Sequence, residues 1–266
     1  MLALAPLALT LLTLAGYLAG VRRLHTRGHR WPPARAGALV AGTLCVAAAL
    51  LPPVASHDEL FGVHVVQHLL LAMTGPALLA LSAPVTLALR TVPPGIRRPL
   101  LAILHSRLAT LLVHPAFAVA VSLGGLCALY LTPLYAVTER NDLVHAAVHL
   151  HLFLAGCLLS WALIGIDPVR HRPGTRARLI ALVVIAAGHD TLSTYLYAHD
   201  LPAGGGSVAA RHFGAQLMYY GGTVVDVALA VIIMTQWYRA AGRAQAREQR
   251  RAAELSRRVR GAGAAG

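Results

Sequence analysis

The chain contains no lysine, so all 23 of its basic residues are arginine, and only 10 residues are acidic. Charged residues make up 12% of the sequence and hydrophobic residues 57%, whereas soluble domains carry roughly 25% charged residues. This scarcity of charge excludes an ordinary soluble domain. The mean hydropathy of +0.62 is that of an integral membrane protein.

Cysteine is also scarce. Cys45, Cys127 and Cys157 lie far apart in apolar stretches and form no C-x-x-C pair. We therefore expect no structural disulfide, and we expect each cysteine to pack as a small hydrophobic residue. The sequence also lacks the H-E-x-x-H motif of metalloproteases. With no catalytic motif present, we predict that the protein is not an enzyme.

Seven apolar stretches are long enough to cross a membrane, which takes about 20 residues per helix. They lie near residues 1–20, 35–52, 60–89, 108–134, 143–166, 178–198 and 208–238. The first carries no positive charge ahead of its apolar run, so we interpret it as a span rather than a cleaved signal. The prediction is an all-α, polytopic membrane bundle of seven transmembrane helices over 1–238, followed by an Arg-rich tail, 239–266, that is partly disordered.

The distribution of arginine predicts the orientation. Arginine is concentrated in segments 21–35, 90–107, 167–178 and the tail. The connections between these segments are poor in arginine and hold Asp58, Glu59, Glu139, Asp142 and Asp200. By the positive-inside rule, the N-terminus is outside and the C-terminus cytoplasmic. The net charge of +13 then reflects topology and contact with anionic lipid, so no nucleic-acid partner is expected.

Two histidine pairs lie within predicted spans, His64 with His68 and His145 with His149. Their i, i+4 spacing places both rings of a pair on one helix face. Both pairs fall near the outer ends of their spans, and ionisable groups at such depths usually face the interior of a bundle. If the two spans are adjacent, four imidazoles can serve one metal ion or cofactor.

Further candidates lie at similar depth. His189, near the middle of the sixth span, and His212, near the outer start of the seventh, are additional candidate ligands. Residues that would support the ligands or join them are Gln67, Met73, His151, Asp190, Met218 and Asp226. Imidazole suits copper, zinc, iron and nickel, and a thioether would favour Cu(I). Histidine alone does not select among these metals.

Prolines predict irregular helices. Pro76 and Pro84, together with Gly75, should bend the third span, and His114-Pro115 should kink the fourth. Other classes remain open at this point. A membrane b-type cytochrome would hold haem between two of the histidines, a metal-dependent enzyme would need an open coordination position, and a transporter would move the metal across the membrane.

Several segments resemble one known family. The stretch 64–76, HVVQHLLLAMTGP, and its continuation 81–90 are similar to the third-span signature of the bacterial CtaG-type (caa3-type) cytochrome c oxidase assembly factors. Segment 147–168 resembles the same family, and 217–222 with 236–239 resembles its actinobacterial branch. Many relatives begin the last span with an Asp-Gln-Gln-like element, where this chain has Ala210-Arg211-His212.

The resemblance implies a multi-pass protein of the bacterial plasma membrane that helps copper reach a haem-copper oxidase during assembly. It implies copper as the metal, with zinc as the alternative. The implied partners are cytochrome c oxidase subunits, the catalytic subunit above all, a copper donor protein and the lipid membrane. The ligands would be His64, His68, His145 and His149, with His189 and His212 as further contributors.

Overall fold

The computed structural model describes residues 4–52, 54, 60–168 and 172–263, and every regular element within them is helical. In chain order these are α1 (Leu4–Thr26), α2 (Pro33–Leu50), α3 (Phe61–His68), α4 (Gly75–Leu81), α5 (Pro84–Thr91), α6 (Pro94–Leu104), α7 (Arg107–Leu112), α8 (Pro115–Leu131), α9 (Leu134–Thr138), α10 (Asp142–Ile164), α11 (Thr175–Ala198) and α12 (Val208–Gly263). A π-helical turn, Leu69–Thr74, joins α3 to α4. The all-α prediction is confirmed. Asp58, Glu59 and Arg170 lie outside the described residues.

Within the described ranges, five helical stretches are long and apolar enough to cross a membrane: Pro33–Leu50, Phe61–Thr91, Asp142–Ile164, Thr175–Ala198 and Val208–Arg251. The apolar helix Pro115–Leu131 is shorter, at 17 residues, and α1 is not among the five. These helices are those of a multi-pass membrane protein. The seven-span count, the orientation and the division at residue 238 stay predictions.

The segment predicted as one span near 108–134 is divided in the structure. α7 ends at Leu112, and α8 begins at Pro115. The residue before a proline is pushed out of helical conformation, and His114 accordingly is extended, with ψ 126°. The kink predicted at His114-Pro115 is therefore a complete helix break. At the other end of the chain, α12 continues through the described part of the tail.

The third apolar stretch is irregular where its glycine and prolines lie. The N–H of Gly75 donates to the carbonyl of Leu70, five residues back, which defines the π-helical turn. Pro76 follows directly, has no N–H to donate and cannot restore the α-helical pattern there. Ala83 then adopts a left-handed conformation, with φ 51°, before Pro84 starts α5. The predicted bending of this span is confirmed.

The third stretch packs directly against α10. A Cβ added at Gly156 of α10 would come within 2.2 Å of the carbonyl oxygen of Ala72, in the π-helical turn. Only glycine allows the two backbones to approach this closely. The adjacency on which a shared histidine site depends is therefore present.

Connections gather at two ends of the bundle, which we call the Arg-rich end (27–32, 92–114, 165–168 and 172–174) and the Arg-poor end (132–141 and 199–207). At the Arg-rich end, the Asp167 carboxylate accepts from the Thr86 N–H at 2.7 Å, the Thr86 hydroxyl at 2.6 Å and the Trp161 indole N–H at 3.0 Å. Buried Arg178 donates to the carbonyls of Leu163 and Ile164 at the end of α10. These contacts fix α10 to α5 and α11.

Two apolar cores lie one above the other along the bundle. The first core, toward the Arg-poor end, consists of Phe61, Val65, Leu126, Leu129, Tyr130, Tyr135, Leu152, Leu192, Leu196, Ala215 and Met218. The second core, toward the Arg-rich end, consists of Ala77, Ala80, Val119, Leu163, Ile164, Ala181, Leu182, Ile185, Leu229 and Ile233. The histidine cluster lies beside the first core and between the two.

Candidate metal-binding histidine cluster

Three of the predicted ligands form one group across α3 and α10. The ring centroids of His64 and His149 are 5.9 Å apart in a stacked arrangement, and those of His64 and His145 are 6.5 Å apart. His145 and His149, on successive turns of α10, have ring centroids 4.3 Å apart. We call His64, His145 and His149 the three-histidine group.

His68 has a different partner from the one that the shared-site hypothesis expected. Its ring lies parallel to that of His189 on α11, with centroids 5.8 Å apart and an interplanar angle of 15°. On α3 itself, His68 is one turn from His64, whose ring stacks on that of His149. The structure thus brings all four paired histidines and His189 into one cluster, but in two parts.

The cluster is buried and poor in hydrogen bonds. His64, His68, His149 and His189 are between 2% and 9% exposed. Six of their ring nitrogens have no hydrogen-bond partner among the described residues: Nε2 of His64 and His149, and both Nδ1 and Nε2 of His68 and His189. A buried polar atom without a partner costs free energy, about 1–3 kcal/mol. Such a concentration of unsatisfied imidazole nitrogens indicates a site that receives something from outside the chain.

Aromatic side chains line the three-histidine group, and sequence reasoning missed them. The ring of Tyr135 on α9 is 5.1 Å from that of His64, and the ring of Tyr130 on α8 is 6.0 Å away, both edge-on. Phe61 packs against both tyrosines at 5.8 Å. Tyr135 follows Pro133 in a segment predicted as a connection, so helical periodicity gave no signal for it.

His212 lies apart from the cluster. Its Nε2 is 2.9 Å from the Asp200 carboxylate, its ring stacks on Tyr197 with centroids 4.1 Å apart, and its side chain is 32% exposed. Both contacts belong to the Arg-poor surface. That His212 contributes a ligand stays a prediction, and its contacts with Asp200 and Tyr197 speak against it.

Comparison with known proteins adds the family. A family model described as cytochrome c oxidase caa3 assembly factor matches residues 15–240. The chain belongs to this family. The family resemblance drawn from the sequence motifs is thereby confirmed.

Curated relatives of this family member come from mycobacteria. Uncharacterized proteins of Mycobacterium bovis and Mycobacterium tuberculosis are each 32% identical to it over 257 residues, and one of Mycobacterium leprae is 30% identical. Each match covers 89% of this chain but only 39% of the relative's length. The chain thus spans about two fifths of the length of the curated relatives it matches. No solved structure matches it.

The residues predicted to support the ligands have various surroundings in this caa3 assembly factor family member. The side-chain amide of Gln67 donates to the Ala49 carbonyl of α2 at 3.0 Å, so it ties two helices together. His151 is exposed and lies against Gly125 of α8. Met73 is half-buried in the π-helical turn, and Met218 is fully buried in the first core.

The two predicted intramembrane carboxylates lie close to His189. Gly222 of α12 contacts the His189 ring, and Asp226 is one turn further along that helix. Asp226 is 8% exposed, and neither its Oδ2 nor the Oδ1 of Asp190 has a hydrogen-bond partner among the described residues. Two carboxyl groups with unsatisfied oxygens therefore adjoin His189, one from α11 and one from α12.

The residues present fit a cation that prefers nitrogen ligands. Neutral imidazole is a good ligand for copper and zinc. A metal–imidazole bond is about 2 Å long, so rings with centroids near 6 Å can share an ion once each turns a nitrogen toward it. Among the residues that the structure describes, no three His, Cys, Asp or Glu side chains already stand in metal-binding geometry. Binding would therefore require side-chain adjustment within the cluster.

Proposed function

We propose that this protein binds copper in its histidine cluster and delivers it to a haem-copper cytochrome c oxidase during assembly of the oxidase. The observation that carries the proposal is the set of six buried imidazole nitrogens without hydrogen-bond partners among the described residues. Family membership supplies the recipient, because the family is that of cytochrome c oxidase caa3 assembly factors. The direct recipient is the catalytic subunit, and a separate copper protein is the donor.

In this proposal the protein lies in the bacterial plasma membrane with seven spans and its Arg-rich end in the cytoplasm. The cluster then opens toward the outer face. At that end the connection 201–207 lies over the cluster, since Gly205 adjoins Phe61 and Gly204 adjoins Glu139. Copper would enter and leave beside this connection.

The second core favours a carrier over a transporter. Beyond Asp226, α12 continues with Leu229 and Ile233, which pack against Leu182 and Ile185 of α11. These apolar side chains fill the bundle between the cluster and the Arg-rich end. An ion held by the histidines would have no polar ligands along that path, so it would return to the side from which it came.

The same packing disfavours a b-type cytochrome. A haem held between two imidazoles needs a flat slot for its macrocycle. Around the cluster that space is filled by the first core, including Phe61, Tyr130, Leu192 and Met218. The proposed role is also non-catalytic, in keeping with a family of assembly factors. Zinc is the alternative metal, and a parallel zinc titration distinguishes it.

The test uses oxidase assembly in a host strain that lacks its own copy of the protein. Wild type should restore oxidase activity and oxidase copper content, whereas His64→Ala/His149→Ala should leave both near the deletion level. His151→Ala is the matched control, because His151 is an exposed histidine outside the cluster. Full restoration of the oxidase by the double variant, at equal protein level, would contradict the proposal.

A further inference from the structure

The His68–His189 pair occupies its own layer of the bundle. On α11, His189 lies between Leu192 of the first core and Ile185 of the second. On α12, Gly222 and Asp226 lie between Met218 of the first core and Leu229 of the second. The three-histidine group lies beside the first core instead, where Tyr130 and Tyr135 line it. The two parts of the cluster therefore differ in depth and in surroundings.

The pair has the ligand capacity of a site by itself. His68 is 3% exposed and His189 is 2% exposed, and all four of their ring nitrogens lack partners among the described residues. Their rings are nearly parallel and 5.8 Å apart. Two imidazoles at this separation can hold a soft cation in two-coordinate fashion once each ring turns one nitrogen toward the ion, provided that the charge of the ion is balanced.

Asp226 and Asp190 can provide that balance. A cation between two neutral imidazoles is costly at this depth, because apolar cores lie on both sides. Asp226 is only 8% exposed, and its Oδ2 has no hydrogen-bond partner in the described part of the chain. Asp226 follows by one turn the Gly222 that touches His189, so it projects from the same face of α12. Asp190 is next to His189 in sequence, and its Oδ1 also has no partner among the described residues.

We propose that His68 and His189 form a second cation site, deeper than the three-histidine group and charge-balanced by Asp226 with Asp190. This inference rests on the proposed function and adds to it a two-step path. Cu(I) binds first to His64, His145 and His149, moves inward to His68 and His189 by exchange of imidazole ligands, and leaves by the same two steps in reverse. No electron is transferred, so the oxidation state of copper does not change. His64, which stacks on His149 and precedes His68 by one turn of α3, is the ligand that bridges the two sites.

The experiment is an anaerobic Cu(I) titration of the purified full chain in detergent, in competition with a chromophoric Cu(I) chelator. Wild type should bind two ions per chain. His68→Ala/His189→Ala should bind one, and His145→Ala/His149→Ala should also bind one. His151→Ala, the exposed control, should bind two. Asp226→Asn should bind two, with one of them about 10–100-fold weaker, as expected when a group that supports a metal site is removed.

The outcomes separate this inference from the proposed function. If wild type binds a single ion and each double variant loses it, the second site does not exist. The proposed copper function would still hold. No copper binding to folded wild type would overturn the proposed function itself. Unchanged affinities in Asp226→Asn would remove the carboxylates from the site. Gel filtration and circular dichroism show whether each double variant folds. If one does not, the single variants His68→Gln and His189→Gln replace it. Each should weaken the binding of one of the two ions.

Discussion

Gly222 of α12 lies directly against the ring of His189 on α11, so that a Cβ at position 222 would come within 2.4 Å of Cε1 and 2.6 Å of Nδ1. The absence of a side chain on one helix therefore sets the ring position on the other. Since His189 is the partner of His68, the contact connects α12 to the histidine cluster without contributing a ligand.

Gly222→Ala should displace the His189 ring and weaken Cu(I) binding at least about tenfold, in the range found when groups that orient a metal ligand are changed. The matched control is Gly125→Ala, because a Cβ there would come within 2.2 Å of Nε2 of His151, which lies outside the cluster. Chelator competition on both purified variants measures the effect. Equal affinities in the two variants would contradict the role of His189.

Gly156→Ala should destabilise the protein and lower its copper content together. The new Cβ would meet the backbone carbonyl of Ala72 rather than a flexible side chain, so α10 must move away from the π-helical turn. Overpacking of this kind costs about 1–3 kcal/mol. Gly124→Ala is the control, since its Cβ would have no neighbour within 4 Å and should stabilise α8 slightly. Thermal unfolding in detergent compares the stability of the two variants.

Asp167→Ala should lower stability without changing copper binding. It leaves the N–H and hydroxyl of Thr86 and the indole N–H of Trp161 without their acceptor. The expected cost is about 3 kcal/mol or more, because hydrogen bonds to a charged group contribute about 1.5–3 kcal/mol each. Asp142→Ala, at an exposed position in the first turn of α10, should cost under about 1 kcal/mol. Copper loss from folded Asp167→Ala would contradict the claim that contacts at the Arg-rich end do not affect the histidine cluster.

His212→Ala should leave copper binding unchanged, in contrast to His149→Ala. His212 pairs with Asp200 at the surface, so its removal should cost at most about 1 kcal/mol of stability. Copper titrations of the two single variants check this difference. Comparable loss of copper in both would restore His212 to the ligand set.

The three-histidine group was accessible to sequence reasoning for a simple geometric reason. The i, i+4 spacing fixed which rings share a face, and the matched positions of the pairs along their spans fixed their common depth. Adjacent residues of a helix diverge by about 100°, and Gln67, next to His68, accordingly donates from its side-chain amide to the Ala49 carbonyl of α2. Local periodicity was sufficient wherever one helix face decided the outcome.

Other contacts depend on which helices are neighbours in the bundle. Hydrophobic periodicity along one helix does not predict this. His68 and His189 belong to helices far apart in sequence, and nothing in either helix identifies the other as its neighbour. The π-helical turn after His68 changes which face the following residues present, and hydropathy does not detect such a turn. The same holds for Tyr135, which reaches His64 from a five-residue helix in a connecting segment.

The most direct test of the copper site is X-ray absorption at the copper edge, on Cu(I)-loaded wild type and on His64→Ala/His149→Ala. In wild type we expect bound copper with nitrogen neighbours at about 2 Å and the outer-shell scattering of imidazole. In the folded double variant, copper should be reduced and the imidazole signal per ion changed. Sulfur neighbours in wild type, or identical spectra and copper content in the two proteins, would contradict copper binding by this histidine cluster.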